Sequence, residues 1–442
     1  MSRPAVTKAD SSVPRGEGAP VGRTTSHARV PRTALAVVFA GVAAALHLGK
    51  LPPAVPALQA TLGVDLVEAG FLLSLVQVAG MCLGMVFGLV ADAIGLRRSM
   101  LAGLALVTGA SVLGGWVGRT VDPGPGAIHC LLALRALEGV GFLLAVMPGP
   151  GLIRALSPPS AEKKALGLWG AYMPLGVALA LLLGPALIAW GGWPGWWWVL
   201  SAISAVAALW VLLAVPADQR PATSPPTASS FSRWTAPLLD TARASGPRTL
   251  ALAFGVYSAQ WMAVIGFLPA IYADAGVPAA WNAALTALAA AMNIVGNVGG
   301  GRFLQHGVAP ERLLRWGFVV MALGGVAAFA QIGMSGSTAS LPPSLRYAAV
   351  CLFSLAGGMI PATLFMLSTR LAPSASTVST TVGMMQQASS LGQFIAPPAV
   401  AWIAHRAGGW QWTWCVTLAC SLAGLALAAH LVPARSRTGT AI

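Results

Sequence analysis

The apolar positions of this chain come in blocks. Runs bounded by Gly, Pro and charged residues recur twelve times, at approximately 34–57, 67–91, 99–118, 128–153, 165–190 and 196–216, then 249–273, 280–303, 314–334, 345–369, 378–403 and 412–432. Each is near the ~20 residues that a helix needs to cross about 30 Å of hydrocarbon. Lipid offers no partner to backbone N–H and C=O groups, so such segments must be helices that satisfy their own backbones. The pattern predicts an all-α integral membrane protein of twelve transmembrane helices in two six-helix bundles, 34–216 and 249–433. Residues 1–33, rich in Ser, Pro, Gly and Arg, read as a cytoplasmic disordered tail without the apolar core and cleavage site of a signal peptide. A cytoplasmic linker spans 217–248, with Pro221, Pro225 and Pro226, and a second cytoplasmic tail spans 434–442.

Composition sharpens this. Hydrophobic residues make up 56% of the 442 positions and charged residues 9%, against about 25% charged in an ordinary globular domain. The net charge of +14 would suggest a nucleic-acid partner in a soluble protein. Here the cations sit in alternate loops: Arg97, Arg98, Arg154, Lys163, Lys164, Arg302, Arg312, Arg315 and Arg370 fall on one side, and only Arg119, Arg346 and Arg406 on the other. By the positive-inside rule the first side is cytoplasmic. The partners expected are therefore the bilayer of the inner (plasma) membrane and a small molecule, with no nucleic acid, for a chain working as a monomer. Five cysteines lack metal or disulfide spacing and read as small core fillers. No cofactor or metal is expected.

An internal repeat ties the two sets of helices together. Gly191-Gly192-Trp193, Trp197 and Val215-Pro216-Ala217 recur with the same spacing as Gly408-Gly409-Trp410, Trp414 and Val432-Pro433-Ala434. The fifth and sixth spans thus correspond to the eleventh and twelfth, as parallel six-helix repeats require.

After the second span the chain reads Gly88-Leu-Val-Ala-Asp92-Ala-Ile-Gly95-Leu-Arg97-Arg98. This resembles the signature loop of the major facilitator superfamily, between the second and third of twelve helices. The resemblance implies a gating loop in which Gly88 permits close helix packing and Asp92 meets the dipole of a helix in the opposite half, with Gly95, Arg97 and Arg98 completing it. Ala93 stands where the family usually carries a basic residue, which implies a trimmed gate network; Arg97 and Arg98 also serve as topogenic charges. In the fourth span Arg135-Ala-Leu-Glu138-Gly139 resembles the family's RxxxG motif. Shorter stretches, Ala165-Leu-Gly-Leu-Trp169 and Gly266-Phe-Leu-Pro269-Ala-Ile-Tyr272, resemble the cyanate and nitroimidazole permease branch.

Arg135 and Glu138 stand three apart and share a helix face. Either they neutralise each other, or Arg135 faces a central cavity and takes part in substrate or proton coupling, since ionisable groups within a membrane are functional candidates by default. His47 and Lys50 lie in the first span, Lys50 roughly 10 Å from its outer end at 1.5 Å per residue. Lys50 and Arg135 at one level would make an anion site; the rival reading is that Lys50 snorkels to the headgroups. The second half offers neutral polar groups: Tyr257, Gln260 and Trp261 in the seventh span, Asn293 and Asn297 in the eighth, and Gln386, Ser390 and Gln393 in the eleventh. These serve a cavity wall or act as helix glue. Trp169, Tyr172 and Pro174 in the fifth span offer an aromatic wall or a packing kink.

The expectation is a secondary transporter of a small solute, an anion such as cyanate or a small organic anion, working by alternating access, with proton coupling, exchange and facilitated diffusion all open. The rivals are an efflux antiporter for drugs or hydrophobic compounds and a non-transporting receptor or scaffold. The spans hold no HExxH, GxSxG or cluster of His with carboxylates, so an enzyme is not expected.

Overall fold

The computed structural model describes residues 29–84, 94–218, 238–334, 337–339, 341–374 and 377–431. Gly88, Asp92 and Ala93 of the gating loop, most of the N-terminal tail and of the linker, and the Val432-Pro433-Ala434 end of the repeat lie outside these residues. Ten helical runs among the described residues are long and apolar enough to cross a bilayer. One of them, Tyr172–Ala214, is 43 residues long and has non-helical backbone at Gly192 (φ 69°, ψ 173°). Ala180 packs on Gly49, while Trp196 Nε1 donates to the carbonyl of the next residue, Lys50, at 3.1 Å. Sixteen residues of straight helix would separate Ala180 from Trp196 by about 24 Å, so the chain reverses at Gly192 and the run is two spans. The 30-residue helix Val378–Ala407 carries Gln386, Gln387, Ser389, Ser390 and Gln393, which dilute its apolar character but not its length. With these two additions the spans number twelve.

Several boundaries depart from the hydropathy blocks, mostly at prolines. The first span, Arg32–Leu62, tightens into a 3-10 turn at Pro52–Ala54. There the Ala54 N–H bonds Leu51 O at 2.8 Å, leaving the Lys50 carbonyl for Trp196. The fifth span starts earlier than expected, with helix Pro159–Gly170, and breaks at Ala171, three residues before Pro174, whose ring excludes a regular turn. Between the ninth span, Pro310–Phe329, and the tenth, Pro343–Leu371, strands Ile332–Met334 and Ser337–Ala339 pair antiparallel as a small hairpin. The cysteine expectation holds in part: Cys351 and Cys420 are partly buried and pack against the core, whereas Cys82 and Cys130 are exposed.

Burial sorts the helices. The most apolar windows of the first span and of the seventh, Ser245–Asp274, are 83% and 89% buried, against 28% for the twelfth, Trp410–His430. Without a bilayer in the structure, exposed Leu213, Leu323 and Trp190 mark surface that lipid covers. The first and seventh spans therefore sit at the centres of their halves. The repeat acquires a structural meaning: Trp193 Nε1 donates to Thr61 Oγ1 at 3.1 Å, at the end of the first span, and Trp410 Nε1 donates to Asp274 Oδ2 at 2.9 Å, at the end of the seventh. In each half, the tryptophan after Gly-Gly ties the returning chain to the half's own first helix.

Helix pairs close up through glycine. In the first half the third span, Leu96–Thr120, crosses the fourth, Pro125–Leu156, where a Cβ on Gly141 would lie 2.8 Å from the Gly103 carbonyl. In the second half Gly296 of the eighth span, Ala279–Gln305, and Gly358 of the tenth face each other's backbones. Small residues at such crossings are what lets membrane helices gain packing energy. The halves meet where the second span, Leu66–Gly84, packs along the eleventh, where the eighth packs along 172–214, and where the Pro52–Ala54 turn rests on the seventh.

Candidate functional site

Four ionisable side chains of the first half converge in its interior. Lys50, Arg135, His47 and Glu138 are between 0% and 2% exposed. Lys50 Nζ and Arg135 Nη1 both donate to the Glu138 carboxylate, Lys50 to Oε1 and Arg135 to Oε2 at 2.5 Å, and His47 Nδ1 lies 3.8 Å from Oε1. Lys50 also donates to Ser111 Oγ at 3.2 Å and sits 4.5 Å from the ring centre of Trp197, so it does not reach for the headgroups. Ser111 is held in turn by donating to Trp197 O at 3.0 Å. Arg135 is clamped by two further bonds, Nη1 to His47 O at 2.9 Å and Nε to Leu72 O at 3.1 Å.

The arrangement shows the neutralising pair of Arg135 and Glu138 and adds a third group. Glu138 neutralises Arg135 along its own helix and also draws Lys50 across from the first span. Two cations on one carboxylate leave one positive charge, with His47 neutral. The polar atoms are not all used: Arg135 Nη2 and both ring nitrogens of His47 are buried without a hydrogen-bond partner among the described residues. Buried polar atoms of that kind cost about 1–3 kcal/mol each unless something occupies them.

The neutral groups of the second half form three separate sets. Asn293 Nδ2 donates to Tyr257 OH at 2.9 Å and to Ser354 O at 3.1 Å, and Trp261 Nε1 donates to Ser354 Oγ at 3.2 Å, joining the seventh, eighth and tenth spans. Gln260 turns instead to the twelfth span, accepting from Ser421 Oγ at 2.9 Å, with its Nε2 buried and unpartnered. Gln393 belongs to the seam between halves, where it accepts from Gln77 Nε2 at 3.0 Å. The face of the eleventh span turned to the second runs through Gln387, which donates to Met81 O at 2.8 Å, Ser390, which lies against Gly80, and Gln393. Gln386 lies one position off that face, half-buried. Trp169 and Tyr172 stack on each other at 4.5 Å and pack against Gly41 and Gly149, inside the first half. Gln77, Ser111, Trp197 and Ser354 were missed in the sequence; only Gln77, a lone amide in an apolar run, carried a readable signal.

The described end of the gating loop is held by a residue from the exit of the sixth span. Asp218 accepts from the backbone N–H groups of Arg97, at 3.0 Å, and Arg98, at 2.9 Å, so a carboxylate caps the positive end of the third helix. Arg97 Nη2 returns a bond to Leu212 O at 2.7 Å, covering a carbonyl at the negative end of the sixth. Gly95 has φ +101°, and a Cβ there would fall on the Asp218 side chain. Asp218→Ala is expected to cost about 1 kcal/mol, as loss of an N-cap does, and Gly95→Ala more, because its backbone is strained as well. Apparent melting temperatures in detergent check the order; equal, negligible losses would mean the cap is idle.

Twelve spans in two repeated halves, with buried charge in the first and neutral polar groups in the second, define a two-halved integral membrane protein. The Major Facilitator Superfamily family model matches residues 33–390, and the chain belongs to that superfamily of transporters. It is similar to the multidrug transporter mfsC of Aspergillus fumigatus, 27% identical over 164 residues, 37% of this chain and 30% of that one. It is also similar to the puromycin resistance protein pur8 of Streptomyces alboniger, 34% identical over 169 residues, 38% of this chain and 32% of that one. The chain thus spans about a third of the length of each of these relatives.

Proposed function

We propose that this transporter carries a small organic or inorganic anion through the plasma membrane by alternating access, its two halves rocking about a site beside Arg135 and His47. The observation that carries this reading is the buried cluster of net charge +1 in which Arg135 Nη2 and the His47 ring have no partner. An anion seated there brings the cluster to neutrality and occupies the free donors; Arg suits carboxylate-like groups because it offers a planar fork. Glu138 is the group that would exchange a proton or yield Arg135 to the solute. Lys50, drawn toward Ser111 and Trp197, supports Glu138 from behind. The cation asymmetry of the loops supports a reading with both termini on the cytoplasmic side, and the candidate groups come from one chain.

The test is uptake of labelled cyanate and short-chain carboxylates into proteoliposomes, with and without a pH gradient. Saturable uptake is expected, abolished by Arg135→Gln in a variant that keeps its melting temperature. Parental uptake by that variant would remove Arg135 from the site. A second reading, export of larger organic compounds, draws on the names of the two relatives and on the neutral, aromatic character of Tyr257, Trp261 and Asn293. Puromycin movement in the same vesicles without any anion uptake would replace the first reading by the second.

A further inference from the structure

The charge cluster and the seam between the halves share one element, the second span. Arg135 Nε holds the carbonyl of Leu72, and Gly139 of the same helix sits against the carbonyl of Val76. Between these contacts and the seam the second span is not α-helical: Leu75–Gln77 is a 3-10 turn, closed by the Val78 N–H on Leu75 O. Gln77, 3% exposed, then donates across the seam to Gln393. From there Gln393 Nε2 donates to Ser389 Oγ at 3.0 Å, and Ser389 Oγ to Ser258 Oγ at 2.7 Å. A continuous series of buried contacts therefore runs from Glu138 through the backbone of the second span into the eleventh and seventh spans.

We infer that this 3-10 turn is the coupling element through which the occupancy of the Glu138 carboxylate sets the Gln77–Gln393 hydrogen bond, one of those that join the halves. Arg135 is placed by the carboxylate on one side and by the Leu72 and His47 carbonyls on the other. When Glu138 no longer holds it, whether by taking a proton or by ceding place to a solute, Arg135 moves and Leu72 O loses a donor. A carbonyl buried in lipid cannot stay unpaired, and the donor at hand is the span's own N–H four residues on. Short 3-10 segments inside a helix commonly mark hinges. Rewinding from about 120° to about 100° per residue over three residues turns Gln77 by roughly 60° relative to Leu72, which takes its amide out of reach of Gln393. The seam then opens at mid-membrane, where alternating access requires it to. Gln77 is on this account a positioning residue, acting through the helix and not on the solute.

Hydrogen exchange of the full chain in nanodiscs tests this without any solute, so it stands or falls separately from the anion reading. Glu138→Gln is expected to speed amide exchange in 386–393 of the eleventh span by about fivefold, the factor that corresponds to one lost hydrogen bond, as well as in 72–80 of the second. In a Gln77→Met background, which removes the bridge at nearly constant volume, the Glu138→Gln effect should persist in 72–80 and vanish in 386–393. An unchanged eleventh span in the first comparison, or an effect there that survives Gln77→Met, overturns the inference. Should Glu138→Gln fail to fold, Arg135→Lys reads the same link, because it keeps the charge and removes the Nε donor; the same two outcomes decide it.

Discussion

Glu138→Ala should lose the folded carrier altogether or lower its stability by roughly 3–5 kcal/mol, the cost of leaving a buried charge without its partner. The estimate is high because two cations depend on this one carboxylate: Lys50 and Arg135 are 0% and 2% exposed, and neither pairs with a second acid among the described residues. Losing the acid also leaves Arg135 Nη1 with the His47 carbonyl alone and leaves a net charge of +2 in the interior. Replacing all three, as Lys50→Met with Arg135→Met and Glu138→Met, should restore much of the loss, since well-packed apolar groups often equal or exceed a buried ion pair in stability. Melting temperature in detergent and transport in vesicles separate the two uses of the cluster. A triple variant that is both stable and transport-dead places the charge in the mechanism. One that transports at the parental rate would reduce the cluster to a packing element.

The sequence exposes this cluster only in part, for a reason tied to the first span. Residue counting puts Lys50 level with Arg135, because a rise of 1.5 Å per residue holds through an ordinary helix. It does not show which way Lys50 points. That direction is set by the rotation of the helix Arg32–Gly49, whose αR backbone continues through Lys50 and turns its side chain toward Ser111 and Trp197. Hydropathy blocks record burial and are blind to helix rotation, so Lys50 and Arg135 could be read as two open cations when they share one acid. The eleventh span shows the same limit. Gln386, Ser390 and Gln393 lie on one face by spacing, yet the face that meets the second span is shifted to include Gln387, a rotation of one residue that no composition encodes. What was legible is what depends on length and local backbone: the spans, and the Gly-Gly-Trp repeat whose second glycine, Gly192 or Gly409, takes a positive φ at the reversal. Cys82 and Cys130 escaped the core-filler reading because in lipid an exposed position is as apolar as a buried one.

The crossing of the eighth and tenth spans should be the least tolerant apolar position in the second half. A Cβ on Gly358 would press on the Asn293 carbonyl and lie 2.8 Å from the Asn297 nitrogen, and both are backbone atoms that cannot rotate away. Gly358→Leu must therefore drive the two helices apart, at or above the upper end of the ~1–3 kcal/mol usual for overpacking. The consequence reaches the polar set, because Asn293 is the residue whose side chain joins Tyr257 and the Ser354 carbonyl; separation of the helices takes those bonds with it. Gly299 of the eighth span is the control: nothing lies within 4 Å of its Cβ position, so Gly299→Leu should be neutral or should stabilise by up to about 1 kcal/mol, as relief of a mid-helix glycine does. The two variants add the same side chain to neighbouring helices, with opposite signs expected in the melting temperature. Equal losses would mean that the added bulk itself, and not the close backbone crossing, decides the stability of this half.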